Sequence, residues 1–217
     1  IIGNADTLKD IAIGVGITTL LFVVTLQSPI LGFFCTVVIP LPTIYYRAKL
    51  GRKAGVLVPA IALLTLVPIF GGVSIDLLYF FELVLIGFVL CEMFGRNLAI
   101  EKTVVLTCAV ALAVGLGVLI LHSVSMTTGV GTIVAAYVRT NLEATIALYE
   151  GMGVPPDTIH LIRDSLDGIQ YVLVRIIPAL SIASVLFLTW TSLLLSRPLL
   201  KRGNLFFPDF GRLNLWK

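Results

Sequence analysis

The chain has 217 residues, of which 58% are hydrophobic and only 12% charged, and its mean hydropathy is +1.06. This composition supplies too little polar surface to cover a soluble globule of that length, so it excludes an ordinary soluble domain and predicts a membrane protein. The formal net charge of +3 does not indicate nucleic-acid binding, because nearly all the basic residues can be assigned to loops on one membrane face.

Six apolar runs follow one another along the chain, each of about the length that a hydrocarbon layer of ~30 Å demands. We expect membrane spans at residues 11–26, 29–46, 54–70, 75–94, 103–121 and 176–196. Only Gln27 and Ser28 separate the first two runs, which predicts a tight hairpin. Pro40 and Pro42 are expected to kink or fray the second. The sequence therefore predicts an all-α membrane protein, a polytopic helical bundle with six transmembrane helices.

A basic segment with an aromatic pair at its edge, residues 45–53, lies between the second and third runs and is expected to form a turn. Lys and Arg in short loops stay on the cytoplasmic side of membrane proteins. If all six runs cross the bilayer, twelve of the fifteen basic residues lie on the face of this segment, and only Arg139, Arg163 and Arg175 lie on the other. We therefore expect both observed ends in the cytoplasm and place the protein in the cytoplasmic membrane.

The stretch between the fifth and sixth runs, residues 122–170, is the substantial part expected outside the hydrocarbon. Apolar side chains recur there at gaps of three and four, which predicts an extracytoplasmic amphipathic helix that Gly151 ends. A second helix is expected to start at Pro155-Pro156 with Asp157 as its cap. The first helix either lies on the membrane surface, packs across the mouth of the bundle or forms a lid over a site. Its apolar positions are Ala135, Val138, Leu142, Ile146 and Tyr149.

Ionisable residues are informative within the predicted spans, because a charge near the bilayer centre costs about 2.5 to 3.5 kcal/mol on insertion scales. Two stand out: Glu82 lies about seven residues inside the fourth span, and Arg175 lies at the outer entry of the sixth. Both Glu82 and Arg175 fall in the outer leaflet, so they could meet as a charge pair. One interpretation is a substrate site that opens outwards; the other is a buried ion pair that fixes helix register, or an Arg175 that reaches the headgroups. Glu92 is expected to be a solvated interface residue beside Arg96. The other residues assigned to the outward site are the aromatic Tyr79, Phe80, Phe81 and Tyr171, with Asp76 and His122 at its rim.

No pattern in the chain indicates an enzyme. A Ser/His/Asp constellation is missing, and His122 and His160 have no second ligand at metal spacing, so neither a catalytic site nor a metal site is predicted. No glycine-rich phosphate loop is present, so no cofactor is expected and ATP would have to come from a partner. The three cysteines are isolated in apolar runs and are expected to be packing residues; they are Cys35, Cys91 and Cys108.

Several stretches together carry a resemblance to a known family. They are Ile39-Pro40-Leu41-Pro42 leading into residues 50–55, then residues 151–156, residues 175–180 and residues 197–202. In their order the chain resembles the YybS-like family of predicted bacterial membrane proteins, a domain of unknown function. Members of that family continue beyond a stretch like residues 207–210 into about two further spans, so we expect this chain to be truncated.

The YybS-like family is in turn similar to the S components of energy-coupling-factor vitamin transporters. That similarity implies six spans, both ends in the cytoplasm and an outward-facing site roofed by outer loops. It also implies a docking surface for a membrane or ATPase coupling subunit, for which the small residues Ala12 and Gly16 of the first span are candidates. Such small residues are first of all helix-packing positions.

The resulting functional hypothesis is a membrane protein that binds a small molecule from the outer side and participates in its uptake. Glu82 and Arg175 would orient the ligand, and the helix over residues 132–150 would control access. The alternative is a non-transporting envelope scaffold that recruits partners through its helix faces, in which the two charges are structural.

Overall fold

The computed structural model describes residues 5–70, 75–96 and 98–208, without the side chains of residues 29, 30 and 75. Asn97, Asp209 and Phe210 lie outside the described residues. The predictions that rest on these three residues therefore also lie outside the described part of the chain. The described chain is helical and contains no strand, which confirms the all-α prediction. Its helices are α1 (Ala5–Gln27), α2 (Pro29–Val38), α3 (Pro40–Ala54), α4 (Leu57–Phe70), α5 (Ile75–Phe94), α6 (Ile100–Ser125), α7 (Val130–Gly151), α8 (Pro156–Asp164) and α9 (Leu166–Arg202).

Five helical stretches of the described residues are long and apolar enough to cross a membrane. They are Ala5–Gln27, Leu31–Ala54, which joins α2 to α3, Asp76–Phe94, Ile100–Ser125 and Leu166–Arg202. The multi-pass helical architecture is therefore confirmed. The predicted third span corresponds to α4, which has only 14 residues and extends about 21 Å at 1.5 Å per residue.

Three local predictions are corrected by the helix boundaries. The basic segment 45–53 is not a turn, because α3 continues to Ala54 and breaks only at Gly51. The last helix begins at Leu166, ten residues before the predicted span, so the segment between α6 and α9 is shorter than expected. Asp157 does not cap α8; it lies in the first turn, after the N-cap residue Pro155.

The chain forms two compact units. The first comprises residues 1–115 and 184–217 and contains α1 to α5 with parts of α6 and α9. Its core packs aromatic and branched side chains: the rings of Phe22 and Phe80 meet edge to face with centroids 4.8 Å apart. A Cβ on Gly87 of α5 would lie 2.5 Å from the carbonyl oxygen of Pro40, so the absence of a side chain lets α3 and α5 approach this closely.

The second unit comprises residues 116–183, with α7, α8 and the flanking parts of α6 and α9. Ile146, Ile159 and Leu166 form its small buried core. The turn after α7 contains Gly153 with a φ of 78°, a left-handed conformation that favours glycine. Of the positions predicted to be apolar in α7, Val138 and Ile146 are buried and Tyr149 is exposed.

Candidate functional site

A cleft of about 430 Å³ opens on the first unit, within the size range of small-molecule sites. Its walls come from the end of α1, from α2, from the first turns of α5 and from the middle of α9. The lining is largely apolar with a few hydroxyl groups, which suits an amphipathic molecule. The lining residues are Thr25, Gly32, Phe33, Thr36, Val37, Tyr79, Ser184, Phe187 and Leu188.

Three of the hydroxyl groups that line the cleft already donate a hydrogen bond within the protein. Tyr79 Oη donates to Thr36 Oγ1 at 3.0 Å, and Thr36 Oγ1 donates to the Gly32 carbonyl at 2.9 Å. Thr25 Oγ1 donates to the carbonyl of Leu21 at 2.8 Å. Ser184 is exposed on α9. Its hydroxyl and the remaining lone pairs of Thr25 and Tyr79 are the groups that could meet a ligand.

Glu82, the predicted ligand-orienting acid, is half-buried on α5 about one turn beyond Tyr79. Its carboxylate lies beside α6, because a Cβ built on Gly115 would be 3.4 Å from Glu82 Oε1. Glu82 makes no ion pair with the described residues of its own unit. The glycine leaves room for a carboxylate between two apolar helices.

The other predicted site residues are distributed over both units. Asp76 lies in the first turn of α5, on the same helix as Tyr79 and Glu82. In the second unit, the guanidinium of Arg175 lies over the Tyr171 ring at 4.5 Å from its centroid, and His122 is in the last turn of α6. The pairing of Glu82 with Arg175 stays a prediction.

Phe80, which follows Tyr79, does not have the predicted role, whereas the role of Phe81 stays a prediction. Phe80 is only 2% exposed and packs in the core against Phe22 and Phe70, so it is not a wall of an open site. The structure instead brings Phe33 and Phe187 to the cleft. Because these runs are uniformly apolar, the sequence did not show which of their side chains are exposed at the cleft and which are buried.

A second polar group of residues, which we call the basic cluster, consists of Arg47, Arg52 and Lys53 on α3 and Glu92 on α5. Glu92 accepts from the guanidinium groups of both Arg47 and Arg52; one of these bonds joins Arg52 Nε to Glu92 Oε2 at 3.2 Å. Glu92 was predicted to be a solvated residue beside Arg96. That prediction is wrong, because the side chain bridges two arginines and is 21% exposed.

Burial of Arg47 distinguishes this cluster from a surface ion pair. The Arg47 side chain is 4% exposed, and its guanidinium carbon lies 3.5 Å from the centroid of the Phe88 ring. A guanidinium can pack on an aromatic face in this way while it bonds a carboxylate at its edge. Its Nη1 atom is buried and has no hydrogen-bond partner in the part of the chain that the structure describes.

Glycines in α3 and just after it shape the basic cluster. Gly51 has a φ of 80° and a ψ of 179°, a conformation that is essentially restricted to glycine and that interrupts the helix just before Arg52. A Cβ on Gly55 would lie 2.5 Å from the Cα of Arg47, so the chain after α3 passes directly against the turn that carries Arg47.

Several contacts bring helix ends of the first unit together around the basic cluster. Lys49 Nζ of α3 donates to Asp10 Oδ1 of α1 at 2.7 Å. Beyond α9, Gly203 packs close to the ring of Tyr45, and the Phe207 ring lies 5.4 Å from that of Phe94. The start of α1 and the ends of α3, α5 and α9 therefore meet at one end of this unit, which we call the basic end. Tyr79 lies about 20 Å from it along α5, at 1.5 Å per residue.

No metal or cofactor is assigned. Among the described ranges, no group of three or more His, Cys, Asp or Glu side chains could hold a metal ion. The three cysteines are partly buried free thiols. On α1, Ala12 and Gly16 are exposed, whereas Gly14 between them faces the Tyr46 ring.

Comparison with known proteins gives one family. The family described as "Predicted membrane protein (DUF2232)" matches residues 16–217. No curated protein matches the chain, and no solved structure matches it. The family match confirms the resemblance to predicted membrane proteins of unknown function; the similarity to S components stays a prediction.

Proposed function

The chain belongs to the family of predicted membrane proteins described as DUF2232, and from that premise we propose that it binds a small amphipathic molecule in the cleft and takes part in its uptake. The observation that carries the proposal is the cleft itself, an apolar recess of about 430 Å³ with hydroxyl groups of Thr36, Tyr79 and Ser184 at its walls. An apolar wall with few polar groups binds the body of a ligand and fixes its orientation.

The cleft would open towards the outer side of the cytoplasmic membrane. The proposal rests on the distribution of Lys and Arg, which gather at the basic end of the first unit, away from Tyr79. Basic ends of membrane helices stay on the cytoplasmic side, so the opposite end would face outwards.

A bundle of six crossings requires that α4 also traverse the membrane. With 14 residues it is shorter than the hydrocarbon layer, but it is apolar except for Thr65, and a short segment can be accommodated by local thinning of the bilayer. Six crossings would put both observed ends in the cytoplasm. Five would put them on opposite sides.

Charge for orienting the ligand would come from Glu82. Glu82 has no ion-pair partner among the described residues of its unit, so its carboxylate is available to a cationic or hydrogen-bonding group. Asp76, in the first turn of the same helix, would contribute at the rim. The roles predicted for α7, Arg175, His122 and Tyr171, which belong to the second unit, stay predictions from the sequence. Chemistry on the ligand is not part of the proposed role, and any ATP would be hydrolysed by a partner.

A second candidate function is a non-transporting scaffold that docks partners on α1. The observation in its favour is that Ala12 and Gly16 are both exposed, and a Cβ on Gly16 would meet nothing within 4 Å. Small residues on an open helix face permit close approach of another membrane helix. The same surface could receive a coupling subunit if the protein takes part in uptake.

The proposal can be tested by native mass spectrometry of the protein released from its own membrane. Ser184→Trp would fill the cleft, and Ser181→Trp is the matched control, because Ser181 is an exposed serine of the same helix that does not line the cleft. We expect a small molecule that co-purifies with the unmodified chain and the control but is lost from Ser184→Trp. Glu82→Gln should weaken its retention. Equal retention by both tryptophan variants would contradict binding in the cleft.

A further inference from the structure

The basic cluster carries more positive charge than its own acid compensates. Arg47 and Arg52 share the single carboxylate of Glu92, and Lys53 is exposed without an ion pair among the described residues. Further exposed cations without an ion pair in the described part of the unit are Lys9, Arg96, Lys102, Arg197, Lys201 and Arg202.

Donor groups remain for an anion at the cluster. The Arg52 side chain is 77% exposed and uses Nε and Nη2 for Glu92, so Nη1 faces no described acid. The Nη1 of Arg47 also has no hydrogen-bond partner in the described chain, but it is buried, so the exposed donors are those of Arg52 and Lys53. The exposed guanidinium of Arg52 and the exposed ammonium of Lys53, the next residue in the chain, are side-chain types that bind a phosphate group.

Exposed apolar side chains follow these cations in the chain. After Lys53 and the close turn at Gly55, Val56, Ile61 and Leu64 expose 36%, 38% and 66% of their surfaces. The last two lie three residues apart on α4, hence on one face of that helix. The chain therefore combines phosphate donors with exposed apolar side chains in the segment that follows them.

We propose that this is a binding site for an anionic phospholipid, with the phosphate held by Arg52 and Lys53 and an acyl chain along the exposed face of α4. Basic residues at the membrane edge attract anionic headgroups, and an acyl chain supplies the apolar part that a free anion lacks. The inference is independent of the cleft and of what binds there, so either can fail without the other.

The test is lipid retention measured by native mass spectrometry from nanodiscs of mixed POPC and POPG. We compare the unmodified chain with the double variant Arg52→Gln/Lys53→Gln. The control is Arg139→Gln/Arg163→Gln, which removes two equally positive exposed side chains from the second unit. We expect the ratio of bound POPG to POPC to fall by roughly fivefold for each charge removed in the first variant and to stay unchanged in the control.

A charge-preserving variant separates binding from folding. Arg52→Lys/Lys53→Arg should retain most of the POPG preference if charge is what binds. Unchanged POPG retention in the Gln double variant would overturn the proposal, and so would an equal loss in the control. Displacement of POPG by inorganic phosphate alone would overturn the assignment to a lipid, because it would make the exposed apolar side chains irrelevant.

Discussion

The side chains of Arg47 and Glu92 join α3 to α5 across 45 positions of sequence, with the arginine buried against Phe88. Removing one partner of a buried ion pair leaves the other charge uncompensated. We expect Glu92→Ala to lower the free energy of unfolding by about 3 kcal/mol. The loss of stability would be measured by thermal unfolding in detergent, monitored as the loss of monodisperse protein.

The matched control for Glu92 is Glu143→Ala, which removes an exposed i,i+4 partner of Arg139 and should cost about 0.5 kcal/mol. The double variant Arg47→Met/Glu92→Leu should recover much of the stability lost in Glu92→Ala, because no charge remains buried. Similar losses for the two glutamate variants would show that Arg47 is hydrated in the native protein.

Gly51 should resist substitution for conformational reasons alone. A Cβ there would meet no atom within 4 Å, yet its φ of 80° with extended ψ is strained for any other residue. We expect Gly51→Ala to destabilise the protein by about 1 to 3 kcal/mol. Gly117→Ala, at a helical glycine that is equally free of neighbours, should be neutral or slightly stabilising. The comparison requires only the two midpoints of thermal unfolding.

Gly87 should resist substitution for steric reasons. A Cβ on Gly87 would clash with the backbone oxygen of Pro40, which cannot move without displacing α3. Gly87→Ala should cost about 1 to 3 kcal/mol, the usual range for overpacking. The control is Gly95→Ala, whose Cβ would lie 3.5 Å from the nearest atom. If Gly87→Ala melts like the unmodified chain, α3 and α5 are farther apart than described.

The proposed topology predicts a labelling pattern in intact cells. In a background without the three native cysteines, single cysteines at Lys53, Asp76 and Thr128 would be treated with a membrane-impermeant maleimide. With six crossings, Asp76→Cys and Thr128→Cys should react from outside, whereas Lys53→Cys should react only after the membrane is opened. Failure of Asp76→Cys to react, with reaction after opening, would mean that α4 does not cross.

Sequence reasoning identified the helical membrane architecture because apolar runs of span length are a strong signal. It failed on boundaries where helices continue past polar residues. The basic segment was interpreted as a turn because of its charge, yet α3 runs through Arg47 and Lys49, which are paired with Glu92 and Asp10. Those partners lie about 40 residues away or more, and local periodicity carries no information about them.

The candidate cleft was predictable only in part. Tyr79 was assigned to an outward site because it stands near an ionisable residue in a span, and it lines the cleft. Thr36 and Ser184 were missed, since single hydroxyl residues occur throughout membrane helices and nothing in their spacing marks a wall. Phe80 was misassigned because buried and exposed faces of α5 are equally apolar.

The connection between α1 and α2 has a consequence for how the protein enters the membrane. A single residue, Ser28, separates the two helices, and its hydroxyl accepts a hydrogen bond from the backbone N–H of Leu31 at 3.4 Å. Apart from the Gln27 side chain, almost nothing polar must be carried through the hydrocarbon when this end crosses. The first two spans can therefore insert together as a preformed helical hairpin, with no hydrophilic loop to translocate.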